Sequence, residues 1–255
     1  AVVQLHHAGM RSPEDLIGQA PVCPSDHTDT NSVGLSSEGV KELIEDFICG
    51  AERAEKAGFD GVEIHGAHGY ILAQFLSATI NQRQDEFGGC IENRMRPITE
   101  IIDGIRARCR PDFLLGLRLS PERFDVHLPD IVEVAKNVLS AGKIDFLDMS
   151  LWDSFKEPED QAFKGRTLLS YFTELKRGNV ALGIAGKLRN PEEVNQAMAA
   201  DIDFVMLGRA AILHHDFPRQ MKTDPNFTPI KNPVSADHLR KEGLGEAFIC
   251  LLYTS

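Results

Sequence analysis

The sequence is poor in the features that mark several protein classes. No apolar run approaches the roughly 20 residues that a membrane-spanning helix requires. The opening AVVQLHHAGM lacks the basic flank and apolar stretch of a secretory signal, so a cytosolic location is the expectation. The five cysteines, Cys23, Cys49, Cys90, Cys109 and Cys250, are scattered, odd in number and without a CxxC pair. That argues against a disulfide scaffold or a zinc site. Cys49 and Cys109 fall within helical patterns and read as packing residues, because a free thiol behaves as a small hydrophobe. Positive charge is short as well: 27 Lys and Arg stand against 38 Asp and Glu, for a net charge of -11. A phosphate backbone would be repelled, which excludes nucleic acid as a partner. No linker, low-complexity tract or short repeat breaks the chain, so residues 1–255 are read as a single domain.

What is present is an alternation of short aliphatic runs with helical stretches, the mark of a parallel sheet built from βα units. Six runs stand out: Val2 to Leu5, Gly61 to Ile64, Leu114 to Leu119, Asp145 to Met149, Val180 to Ile184 and Phe204 to Leu207. Each is nearly continuously apolar, as expected of strands covered on both faces. Ser36 or Ser37 is positioned to cap a helix through Lys56, which stops at Gly58. Asn190, followed by Pro191 with Glu192 and Glu193 in the first turn, marks another helix start. The architecture implied is α/β, a barrel or a doubly wound sheet. Six strands are two short of a closed (β/α)8 barrel, and the first begins at residue 2. The reading is therefore a TIM barrel truncated at its start, with these six as strands three to eight.

Functional residues of such barrels follow the strands, at their carboxyl ends. Polar groups gather there: Gln4, His6 and His7; the turn His65-Gly-Ala-His68-Gly-Tyr70; Arg118 and Ser120; Ser150 and Trp152; Gly186 and Lys187; Gly208 and Arg209. His65, His68 and Tyr70 put two imidazoles and a phenol in a glycine-rich turn. Such a set can stabilise charge on a carbonyl oxygen and deliver a proton, or consist of structural histidines with satisfied hydrogen bonds. A metal reading is set aside because no acid follows Glu63 until Asp85, and Glu63 is taken to face away from His65. The turn Gly183-Ile-Ala-Gly186 and the pair Gly208-Arg209 resemble neighbouring halves of a phosphate cradle, with plain tight turns as the alternative. Lys187 can touch the same phosphate, remain solvated, or form a Schiff base in an aldolase-type barrel. His6 and His7, adjacent on a strand, cannot both face one ion. His214 and His215 follow a helix and are expected at the surface.

These residues resemble a family, the Old Yellow Enzyme group of FMN-dependent NAD(P)H oxidoreductases. GFDGVEIHGAHGYILAQFLSATINQRQDEFGGCIENRMRP, Gly58 to Pro97, is similar to that family's long signature; QLHHAG, LLGLRLSPERF, ALGIAGKLRNPEEV and DFVMLGRAAI follow its order. The resemblance runs to about Phe217. It implies FMN as cofactor, NADH or NADPH as reductant, and a small enone or related electrophilic alkene as substrate, with homo-oligomerisation left open. By the same resemblance Gln4 and Arg118 border the flavin ring, while Gly186, Gly208 and Arg209 hold its phosphate. His65 and His68 grip the substrate carbonyl in the His/His version of the site, and Tyr70 protonates the alkene.

Asn81, Arg83, Asp85 and Glu86 lie in a loop expected to shape the entrance. Departures from the pattern are Met10 with Arg11 one place later, Ala78, Phe87 and Cys90, and the tail Phe248 to Ser255 matches nothing in it. Three other readings remain. One is a dienoyl-thioester reductase, disfavoured because no cysteine cluster suited to an iron–sulfur centre follows the barrel. The others are a phosphate-binding aldolase or isomerase using Lys187, and an inactive, truncated barrel fragment.

Overall fold

The computed structural model describes residues 1–254, so Ser255, the end of the unmatched tail, lies outside the described residues. Six strands form one parallel sheet: β1 (Val2–Leu5), then β4 (Gly61–Gly66), β5 (Leu114–Leu119), β6 (Phe146–Ser150), β7 (Ala181–Ala185) and β8 (Phe204–Val205), side by side in that order. A short pair, β2 (Val22–Cys23) and β3 (Val33–Gly34), lies in the excursion between β1 and the first long helix. All six runs read from the sequence are strands, two of them with the expected bounds.

Two expectations about them need correction. Strands β1 and β8 are not covered on both faces: β1 alternates between exposed and half-buried residues and β8 is half-buried. Each pairs on one side only among the described residues, so its other edge is left without the cover that an inner strand has. The inner strands, in turn, are not uniformly apolar. On the face packed against helices lie Val62, Ile64, Leu115, Leu117, Leu119, Leu147, Met149, Leu182 and Ile184, all essentially inaccessible. The opposite face carries Glu63, His65, Arg118 and Asp148, because a strand turns successive side chains to opposite sides. Glu63, two residues before His65, therefore shares its face.

The helix Ser37–Lys56 begins where its cap was expected, with the Ser36 side chain accepting a hydrogen bond from the Gly39 amide at 3.0 Å. It buries Val40, Leu43, Ile44, Phe47, Ile48, Ala51 and Ala54, spaced to form one apolar stripe. That stripe packs against the helix Arg96–Arg108, where Gly104 gives way to Ile48: a Cβ at Gly104 would lie 2.1 Å from Ile48 Cδ1. Asn190 caps Pro191–Met198 through a bond from the Glu193 amide at 2.9 Å. Cys109 is buried in the core, and Cys49 is half-buried, bonded to Glu45. Glu246–Thr254 is helical. No helix among the described residues is long and apolar enough to cross a membrane.

Parallel pairing points all carboxyl ends of the sheet to one side. On the polar face the register sets layers across the strands. Gln4 stands beside Glu63, Glu63 beside Gly116 and Gly116 beside Phe146; one layer nearer the carboxyl ends, His65 stands beside Arg118, Arg118 beside Asp148 and Asp148 beside Gly183. Gly116 and Gly183 make room for the rings of Phe146 and Phe204, which meet edge to face at 5.8 Å. A Cβ on either glycine would lie 2.1 Å from the neighbouring ring.

Candidate active site

The sheet places His65, His68 and Tyr70 in one cluster and Arg118, Gly186, Lys187, Gly208 and Arg209 around one cavity. His65 ends on β4 with 3% exposure, and its Nδ1 is buried without a hydrogen-bond partner. The chain then turns through His68 and Gly69, both left-handed, at φ 58° and 70°. Gly69 has to be glycine, since a Cβ there would lie 3.0 Å from Phe124 Cβ as well as straining the backbone. The turn sets the His65 and His68 rings 5.0 Å apart and the Tyr70 ring 5.4 Å from His65. Tyr70 then caps the buried helix Ile71–Leu76, whose first amide donates to His7 O at 3.1 Å. His68 is held from three sides: its amide donates to Ser120 Oγ at 3.0 Å, its Nε2 lies 2.7 Å from Ser150 Oγ, and its carbonyl accepts from Arg11 Nη1 at 2.6 Å.

Burial keeps both imidazoles neutral. His65 is pushed down to about 3, by desolvation first, then by the positive charge of neighbouring His68, Arg118 and His6. His68 falls to about 4, again by desolvation first, followed by Arg118, Arg11 and His6. Near neutral pH each ring can donate one N–H bond without carrying charge.

Arg118, Gly186, Lys187, Gly208 and Arg209 line one open cavity of about 290 Å³, together with Ser150, Trp152, Ala185, Leu188, Arg189, Met206 and Leu207. Gly208 faces open space, with nothing within 4 Å of an added Cβ. Gly186 serves packing: a Cβ there would lie 2.9 Å from the Ser154 amide. Lys187 is exposed, adopts a left-handed φ of 51°, and pairs with Asp153 at 3.1 Å. Gln4 is not part of this cavity; its amide donates to Glu63 one layer lower. Ser150 and Trp152 also line a small second cleft of about 10 Å³, together with His68, Ser120 and Phe124; His65 and Tyr70 line neither space.

The residues present suit a flavin mononucleotide. The set offers a cation at the inner end in Arg118, an uncrowded glycine and Arg209 at the outer end, and a cavity between them. Nε of Arg118 is buried without an aligned hydrogen-bond partner.

Several residues of the site carry no role in the sequence reading. His6 packs edge to face on Tyr70 at 4.2 Å, and Arg11 lies 5.0 Å over the same ring. Arg123, Phe124 and Asp125 take three successive left-handed conformations beside the cleft, which marks that loop as locally strained. Asp148 was passed over inside an apolar run. The loop residues Asn81, Arg83 and Asp85 act as a clip. Asn81 donates to Phe75 O and Phe87 O at 2.8 Å each; Arg83 binds Asp85 and the carbonyls of Pro24 and Leu35. The Arg83 hydrogen bond chiefly holds Asp85 down at about 2. His214, expected at the surface, is half-buried, its Nε2 accepting from the Ile230 amide and its ring 5.3 Å from Phe227. Among the described residues no group of three His, Cys, Asp or Glu is placed to hold a metal.

With this geometry in view, comparison with known proteins places the chain. Residues 1–226 match the NADH:flavin oxidoreductase / NADH oxidase family, and the chain belongs to it. It is similar to Bacillus subtilis YqiG, named "Probable NADH-dependent flavin oxidoreductase", with 33% identity over 238 residues, 89% of this chain and 61% of that one. Cinnamate reductase of Clostridium sporogenes is 32% identical over 244 residues, 85% of this chain and 36% of the relative. The solved structure of morphinone reductase superposes with a TM-score of 0.72 at 26% identity, covering 92% of this chain and 67% of the other. The fold is thus that of the family's TIM barrels, represented here by six strands, and the family's cofactor is FMN with NAD(P)H as reductant.

Proposed function

We propose that residues 1–255 form one FMN-binding unit of an NAD(P)H-dependent ene-reductase, acting on the C=C bond of small α,β-unsaturated carbonyl compounds. The observation that carries this reading is the adjacency of two spaces: the cavity of Arg118, Gly186, Lys187, Gly208 and Arg209 shares Ser150 and Trp152 with the cleft of His68. Bound FMN, reduced by NAD(P)H, would supply the hydride for the β-carbon.

The remaining work falls to the protein. Arg118 borders the polar edge of the ring system, and Gln4 supports that edge from one layer lower through its bond to Glu63. Gly208 and Arg209 take the phosphate, with Gly186 shaping the turn and Lys187 at the rim. Neutral His65 and His68 donate hydrogen bonds to the substrate carbonyl, where negative charge develops, and the Tyr70 hydroxyl delivers the proton to the α-carbon. A cytosolic location belongs to the same proposal, with homo-oligomerisation left open.

An aldolase role for Lys187 is disfavoured by its exposure and its pairing with Asp153, since Schiff-base lysines are activated by desolvation or a neighbouring cation. The test is spectroscopic. Purified protein should be yellow, bleach with NADH or NADPH, and recover colour on adding an enone; a colourless protein that takes up no added FMN refutes the reading. His65→Ala with His68→Ala should keep the flavin and weaken phenol and enone binding, and unchanged phenol binding would remove the histidines from the role.

A further inference from the structure

The polar face of the sheet holds two carboxylates around Arg118, a guanidinium that borders the cavity. Arg118 on β5 stands in register with Asp148 on β6, and its Nε lies 3.0 Å from Asp148 Oδ2. Glu63 on β4 sits one layer lower, in register with Gly116 of the same strand as Arg118. Asp148 is fully buried and Glu63 is 4% exposed. Neither oxygen of Asp148 has an aligned hydrogen bond, whereas Glu63 accepts one from Gln4. The other groups on this face in these two layers, Gln4, Gly116, Phe146, Ala181, Gly183 and Phe204, are uncharged, and His65 is neutral.

We propose that Asp148, with Glu63 beneath it, is a positioning residue that holds Arg118 at the cavity floor and sets how much positive charge Arg118 presents to the flavin ring. The inference rests on the FMN reading. A guanidinium stays charged across the whole accessible pH range, so its field at the ring depends on whether an anion stands behind it. A carboxylate at 3.0 Å cancels much of that field beyond the pair; a neutral carboxyl leaves it intact. Asp148 can serve as this element because it titrates in the working range. Burial lifts it, Arg118 pulls it down and Glu63 pushes it up, which together leave it raised to about 7. Above that pH the pair is close to neutral, and below it the pair carries a full positive charge. Positive charge at the pyrimidine edge favours the negative charge that reduction places there, so the reduced flavin binds more tightly at low pH.

The test compares midpoint potentials of bound FMN, with FMN affinity by fluorescence quenching, in wild type, Asp148→Asn and Glu63→Gln near pH 6 and pH 8.5. Asp148→Asn keeps the shape and removes the charge. Its potential should exceed that of wild type near pH 8.5, by about 30 mV for every tenfold gain of reduced over oxidised FMN, and the two should converge near pH 6. Glu63→Gln should raise the potential near pH 8.5 by less, and it keeps the proposal testable if Asp148→Asn does not fold. Equal potentials in all three proteins at both pH values overturn it. So does a variant that weakens both redox states equally, the mark of a purely structural role. Wild type that binds no FMN overturns the ene-reductase reading itself, a result distinct from a wild type that binds FMN with unmoved potentials.

Discussion

The Nε2 of His68 lies 2.7 Å from the hydroxyl of Ser150, a residue that lines both the cleft of His68 and the cavity of Arg118. On the proposed reading, Ser150 would set where the imidazole sits relative to the flavin. Ser150→Ala removes one hydrogen bond, worth roughly 1 kcal/mol net, and should raise the Kd of a phenol by roughly fivefold. Titration followed by the long-wavelength absorbance of the flavin–phenol pair checks this; an unchanged Kd means the serine does not place the ring.

The neutral histidines predict acid sensitivity. Both have folded values, about 3 for His65 and about 4 for His68, below the ordinary 6.5. Between those limits the unfolded chain binds more protons than the folded one, so stability rises with pH through this window and is lost as pH falls. Urea midpoints should drop between about pH 6.5 and pH 4.5, and His65→Asn with His68→Asn should make that acid limb shallower. An equally steep limb in the double variant would point to other groups.

Asp148 predicts the opposite slope. Its folded value is raised to about 7 from 3.8. Between these the folded state holds the extra proton, so stability falls as pH rises through the window. Apoprotein carrying Asp148→Asn should be more stable than wild type near pH 8, by a few kcal/mol at most, with the gap closing near pH 4. Denaturant melts at the two pH values decide it, and a constant gap would mean that a change in packing, not charge, is responsible.

The aromatic floor gives a packing prediction. Gly183→Ala would bring a Cβ to 2.1 Å from the Phe204 ring, and overpacking of this kind costs about 1–3 kcal/mol. Chemical denaturation should show that loss in Gly183→Ala. The second variant Gly183→Ala with Phe204→Leu should regain part of it, because the smaller side chain vacates the space; no recovery would place the clash elsewhere.

Local signals were legible in the chain, and those set by register or by distant segments were not. Strands Val2–Leu5 and Leu114–Leu119 and the caps at Ser36 and Asn190 are written in runs of a few residues. His65, His68 and Tyr70 were found for the same reason, since six residues of one turn hold all three. Arg11 reaches His68 across 57 positions of chain, and no local pattern encodes that contact. Asp148 was masked by its apolar neighbours Phe146, Leu147 and Met149, since only the paired register reveals that it faces Arg118 and not a helix. Glu63 was assigned to the wrong face, although the two-residue period of a strand places it with His65.

The left-handed φ of 58° at His68 narrows what evolution can write at that position. Among residues with a Cβ, asparagine, aspartate and histidine enter this region most readily, whereas β-branched and bulky residues do so only under strain. Of these three, the two that can give a neutral N–H to a carbonyl oxygen are histidine and asparagine. A neutral N–H donor at position 68 is thus drawn from a two-letter alphabet, imposed by one backbone angle before any ligand is chosen.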